Sequence, residues 1–132
     1  STAAYPLAPA WLSDALVYMR QHVAERLTAA DIFAYLGLSH TIVDATFRSV
    51  LHTSVQKEIA AARLEKARQL LETTTHSAAL IAEQSGFAST TYFMRAFSNA
   101  HGVSPIMWRE QRHPQKKQLR ISRKRPKSET AT

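Results

Sequence analysis

The chain has 132 residues, 45% of them hydrophobic, which suits one small domain or two very small ones with a buried core. It has no cysteine, so it has no disulfide framework and no thiolate metal site, and no apolar run approaches the length of a membrane span. The formal charge of +7 is uneven: residues 1–108 hold eight basic and eight acidic side chains, whereas residues 109–132 hold nine basic ones against Glu110 and Glu129. Net charge is therefore a property of the C-terminal end, and it says nothing about nucleic-acid affinity in the rest of the chain.

Three Gly and five Pro leave long stretches free of helix breakers, and strand-like alternation is scarce, so the chain reads as all-α. Residues 1–9, with Pro6 and Pro9 among small side chains, read as a disordered lead with no signal-peptide pattern, and the start at Ser1 suggests a piece of a longer protein. From Ala10, Leu12, Leu16, Met19 and Val23 form a helical stripe. Thr28 with Asp31 has capping-box spacing and opens a helix that Gly37 stops. Ser39 caps the next helix, which turns Val43, Phe47 and Val50 inward. From Ser54 to Thr73 nothing interrupts a helix of about 30 Å. It carries Ile59, Ala62, Ala67, Leu70 and Leu71 on one face. On the other, Arg63, Glu65, Lys66 and Arg68 are placed for surface and interdomain ion pairs. Ser77 caps a short helix ended by Gly86, Ser89 caps a helix with Phe93, Ala96 and Phe97 inward, and Ser104-Pro105 opens a last helix after Gly102. Residues 113–132 are polar, basic and flanked by prolines, and read as disordered.

The pattern repeats. Asp31-Ile32 falls on Ala79-Leu80, Gly37-Leu38 on Gly86-Phe87, Phe47 on Phe97 and Ser54 on Ser104, with one extra residue in the second turn. Each half is a short helix, a Gly-containing turn, a Ser cap and a second helix, which is the layout of a helix-turn-helix. The expected fold is two helix-turn-helix subdomains (10–53 and 76–112) joined by a linker helix (54–75), about seven helices in all. A duplicated helical hairpin that binds another protein has the same pattern. So does a nonspecific nucleic-acid binder driven by the tail.

Three stretches resemble the AraC/XylS family of bacterial transcription regulators. "RLEKARQLLETT" (63–74) is similar to its linker helix, "IAEQSGFASTTYFMRAF" (81–97) to its second helix-turn-helix, and "GVSPIMWR" (102–109) to the motif that closes its DNA-binding domain. The likeness covers roughly residues 10–112, with the xylose regulators nearest in feel. The first half departs from the pattern: His52 stands where the family usually has Gly, Glu58 where an aromatic is common, and Asp44-Ala45 where a polar residue and Arg often sit. The resemblance implies double-stranded DNA as partner, with RNA polymerase a second candidate and an effector-binding, dimerising domain preceding this part. It implies a cytoplasmic, nucleoid-associated protein with no membrane contact and no cofactor.

Helical period then assigns the reading faces. In the second unit Thr91, Met94, Arg95 and Ser98 lie opposite Phe93 and Phe97, with Ser89 and Thr90 at the helix start for phosphate. Arg95 is the candidate base reader, able to donate two bonds to guanine, and the resemblance points to the same position. In the first unit Thr41, Asp44, Ala45 and Arg48 face out, with Ser39 and His40 in the first turn. Thr41 is placed for a base edge or a thymine methyl and Arg48 for phosphate. Asp44 is placed to accept from cytosine or, the favoured reading, to orient Arg48 by an i,i+4 pair. Lys116, Lys117, Arg120, Arg123, Lys124, Arg125 and Lys127 form a run for nonspecific phosphate contact or for solubility. An enzyme is not expected: the six His are scattered, no nucleophile-elbow or His-Glu-x-x-His pattern occurs, and Gly-rich phosphate loops are absent.

Overall fold

A computed structural model describes residues 8–113. They form seven α-helices, with no strand among the described residues: α1 (Ala10–His22), α2 (Ala29–Leu36), α3 (His40–Thr46), α4 (Val55–Thr73), α5 (Ala78–Gln84), α6 (Thr90–His101) and α7 (Pro105–Arg112). A 3-10 turn over Val23–Glu25 follows α1, and α3 runs on into a π-helical stretch over Phe47–Leu51. The basic run from Lys116 to Lys127 lies outside the described residues.

Side-chain caps set the helix starts. Thr28 and Asp31 form a complete capping box on α2, and Ser39, Ser54, Ser77, Ser89 and Ser104 each accept from the backbone N–H three residues on. Each serine thereby satisfies one of the N–H groups that a helix start leaves without a partner. The repeat register differs from the sequence alignment at its first helix. A shift of 49 carries Thr28 onto Ser77 and Ile32, fully buried, onto the equally buried Ile81, so Ile32 matches Ile81 rather than Leu80. From the second helix onward a shift of 50 carries Ser39 onto Ser89, Phe47 onto Phe97 and Ser54 onto Ser104. Leu80 is partly exposed. Counting from cap to cap finds this register; matching apolar residues by eye does not.

The core is in two parts, and α4 belongs to both. Val55 and Ile59 from its first half pack with Leu12, Ala15, Met19, Leu27, Ile32, Val43 and Phe47. Ala67 and Leu71 from its second half pack with Ile81, Ala82, Phe87, Phe93 and Phe97. At 1.5 Å per residue its 19 residues span about 28 Å. The two parts also touch beside the rod. The turn after α5 presses on the 3-10 turn after α1, and Gly86 (φ +83°) comes so close that a Cβ there would lie 1.8 Å from the Val23 carbonyl oxygen. Arg63 on α4 donates to the Leu27 carbonyl at 2.6 Å, tying the rod to the segment between the first two helices.

The last helix is anchored at the end of the rod. Arg109 donates to the carbonyls of Leu71 (3.1 Å) and His76 (2.8 Å), which places a cation where the C-terminal end of α4 presents its unpaired carbonyls. Trp108 Nε1 donates to Glu72 at 3.0 Å, and the Arg112 guanidinium lies 3.5 Å from the Trp108 ring centre. Arg68 bridges Glu65 and Glu72 along α4. The indole donor holds the Glu72 carboxyl below the usual carboxylate range, the Arg68 guanidinium does the same for Glu65, and burial pulls Arg109 below its ordinary value. Arg68 therefore serves the rod, as its sequence position implies, whereas Arg63 bonds a backbone carbonyl instead of an acidic partner.

Candidate nucleic-acid interface

The second helix of each unit, α3 or α6, is held from beneath by a pair of aromatic or aliphatic side chains four residues apart. Val43 and Phe47 in the first and Phe93 and Phe97 in the second are all fully buried. Everything opposite them faces solvent by the 3.6-residue period. On α6 this outward stripe is Thr91, Tyr92, Arg95 and Asn99, with Ser98 half-exposed at its margin. Ser89 and Thr90 are exposed at the helix start. Met94 is half-buried and packs on the second core, so it flanks the face rather than occupying it. Tyr92 and Asn99 are exposed instead. The rings of Tyr92 and Phe87 meet edge to face, 5.9 Å between centres. Arg95 has no ion pair or hydrogen bond among the described residues, which leaves all its donors available to a ligand.

On the first helix Thr41, Ala45 and Arg48 are exposed as the sequence predicts, and Ile42 and Ser49 join them. The ring of His40 stacks on Phe33 of α2 at 4.1 Å, which fixes it at the helix start beside Ser39. Asp44 is half-buried at the edge. The predicted Asp44–Arg48 pair does not form: among the described residues Arg48 has no ion pair. Nearby, the Thr46 hydroxyl donates to the Ile42 carbonyl and the Ser49 hydroxyl to that of Thr46, and the helix widens to the π form from Phe47. Asp44 is half-buried while Arg48 is exposed.

The two units close alike but at different backbone cost. His52 (φ +56°) takes the left-handed position that Gly102 (φ +78°) takes in the second unit. The sequence marks His52 as a departure from the family glycine, and the structure keeps the conformation without the glycine. Neither α3 nor α6 has a carboxylate in its first turn, whereas α2 has Asp31 and α4 has Glu58. The positive ends of both second helices are thus left free for an anion. No helix among the described residues is long and apolar enough to cross a membrane.

Comparison with known proteins accords with this geometry. A family of helix-turn-helix domains matches residues 32–111. The xylose operon regulatory protein of Escherichia coli is 29% identical over 97 residues, which are 74% of this chain and 25% of that protein. A transcriptional regulator of Chromobacterium violaceum, described as having an AraC-type DNA-binding domain, superposes with a TM-score of 0.73 at 32% identity, covering 77% of this chain and 91% of the other. The DNA-binding domain of AdpA, solved with a target DNA, superposes with a TM-score of 0.72 at 26% identity, covering 79% of this chain and 96% of the other. The chain spans 25% to 35% of the length of the curated relatives it first matches. With its capped second helices at both ends of one rod and a matched domain spanning most of its length, the chain belongs to the AraC/XylS family of helix-turn-helix DNA-binding domains.

Proposed function

We propose that this chain binds double-stranded DNA of defined sequence as the reading part of a transcription regulator, with α3 and α6 in successive major grooves. The observation that carries the proposal is the mounting of two equivalent helices on opposite halves of α4, each with its buried pair inward and an exposed face outward. Successive grooves on one side of DNA recur about every 34 Å, and a rod of about 28 Å with a helix packed near each end approaches that distance. The AdpA complex is a relative of this fold bound to its target DNA. In this reading the units are residues 10–53 and 76–112, with 54–75 as spacer. Arg95 donates two bonds to guanine O6 and N7, and Ser89, Thr90, Thr91 and Ser98 position α6 on phosphates and nearby base edges. Met94 supports this face from its flank. Ser39, His40, Thr41, Asp44, Ala45 and Arg48 do the same work for α3, with Arg48 on phosphate. Lys116, Lys117, Arg120, Arg123, Lys124, Arg125 and Lys127 add affinity without sequence preference. The rest of the regulator is an effector-binding and dimerising domain ahead of this part, acting in the cytoplasm on the nucleoid with RNA polymerase as a further partner.

Selection of binding sites from random duplex DNA tests the proposal. The expected result is a site of two short blocks about one helical turn apart, enriched equally by the chain without residues 114–132. Enrichment that disappears with those residues would leave only a nonspecific binder. No enrichment at low salt would leave a module that binds protein.

A further inference from the structure

The two reading faces differ in chemistry. On α6 the exposed residues Thr91, Tyr92, Arg95 and Asn99 offer hydroxyl, guanidinium and amide groups. The places on α3 that correspond by the shift of 50 to the first three of these are Thr41, Ile42 and Ala45, all exposed. Thr41 and Ala45 are four residues apart and Ile42 and Ala45 three, so the three side chains adjoin on the helix surface. What they present is mainly methyl groups. Ile42 is 52% exposed, which ties it with Ile106 as the most exposed of the large hydrophobic residues described. Val43 and Phe47 already fill the inward side, so the first core has no use for Ile42. Ile42 and Ala45, with the Thr41 methyl beside them, thus set adjoining apolar groups on the outward face of α3.

We propose, on the reading given under the proposed function, that the first unit recognises thymine by its C5-methyl group, through the patch of Thr41, Ile42 and Ala45, while the second unit recognises guanine through Arg95. Thymine is the one natural base that shows a methyl group in the major groove, and apolar side chains select it by covering that methyl. The site as a whole is then bipartite: a thymine-bearing block under α3 and a guanine-bearing block under α6. The departure at Ala45 is then a change of reading chemistry, not a loss of reading.

Replacing thymine by deoxyuridine tests this, because it removes the methyl and leaves every hydrogen-bonding group of the base. In a selected duplex each thymine is replaced in turn, and binding of the whole chain is measured. Weakening of about fourfold per contacted methyl is expected, confined to one block of the site. In the Ile42→Ala and Thr41→Ser chains, checked for unchanged thermal unfolding, the replacement at one thymine should cease to matter, while guanine-block mutations keep their full effect. If the chain selects a sequence but ignores deoxyuridine throughout, or if both variants respond as the parent does, this inference falls and the proposed function stands. If no sequence is selected, both fall together.

Discussion

Arg95 and His52 are the two side chains whose replacement isolates one physical effect each. Arg95 is exposed and has no ion pair or hydrogen bond among the described residues, so on the proposed reading Arg95→Ala removes a contact with DNA and little else. Affinity for the selected site should fall by roughly 1–3 kcal/mol, and preference at one base pair should flatten. Equal loss on selected and random duplexes would reduce Arg95 to a phosphate contact. His52 has a left-handed backbone, which costs a residue with a Cβ about 1–2 kcal/mol. His52→Gly relieves that cost, offset in part by the freer unfolded chain. The variant should melt several degrees higher, since about 1 kcal/mol shifts the midpoint of a domain this size by roughly 4–8 °C. An unchanged or lower midpoint would show that the His52 side chain contributes as much as its backbone costs. Gly37 (φ +66°) offers a comparison: an added Cβ there meets no atom within 4 Å, so Gly37→Ala should cost only the left-handed penalty.

The elements were readable because their boundaries are chemical. All six side-chain caps, from Thr28 to Ser104, stand at sequence positions where a hydroxyl precedes an apolar period, and Gly37, Gly86 and Gly102 stand where helices end. Three things were not readable. The π stretch over Phe47–Leu51 contains no proline or glycine, so no residue within it signals the change of helix type. The flank position of Met94 depends on how far the second core reaches, and Met94 packs against that core from the edge of α6. The joint between α4 and α7 is a third case: the motif was visible, but its role in closing the rod appears only with Arg109 on the Leu71 carbonyl and Trp108 on Glu72. That joint should be sensitive to acid. A carboxylate whose folded value lies below its ordinary value of about 4.3 contributes stability above that pH and loses the contribution as pH falls through the folded value. Glu72→Gln should therefore flatten the loss of stability as pH falls below about 4.3 in thermal melts. Trp108→Phe at pH 7 should cost about 2 kcal/mol for the lost bond to a charged acceptor. A Glu72→Gln chain with the parent's acid limb would place the acid sensitivity elsewhere, Glu65 being the other carboxyl held low.

In the whole molecule, charge and shape are supplied by different parts. The C-terminal end concentrates basic side chains, so those side chains should supply part of the salt dependence of binding. Removing residues 114–132 takes away seven Lys and Arg. It should lower the slope of log affinity against log salt while leaving the preferred sequence unchanged. An identical slope would mean that those side chains never approach phosphate. The relative placement of the two units is set by Gly86 against Val23, by Arg63 on Leu27 and by the continuous α4. Gly86→Ala puts an atom inside the Val23 carbonyl group and should disrupt this joint even where each unit stays helical. Circular dichroism that is unchanged while the thermal transition splits in two would show the units separating.

The contact at Gly86 also bears on which DNA sequences the protein will accept. A chain with a hinge there would follow its two blocks over a range of separations. Here the joint has no room even for a Cβ at Gly86, whereas adding a single base pair between the blocks swings the far block about 35° around the axis and moves it about 3.4 Å away. A stiff body cannot turn to meet it, so promoters that serve this protein should keep the gap between the two blocks constant to the base pair, even where the bases filling that gap vary freely.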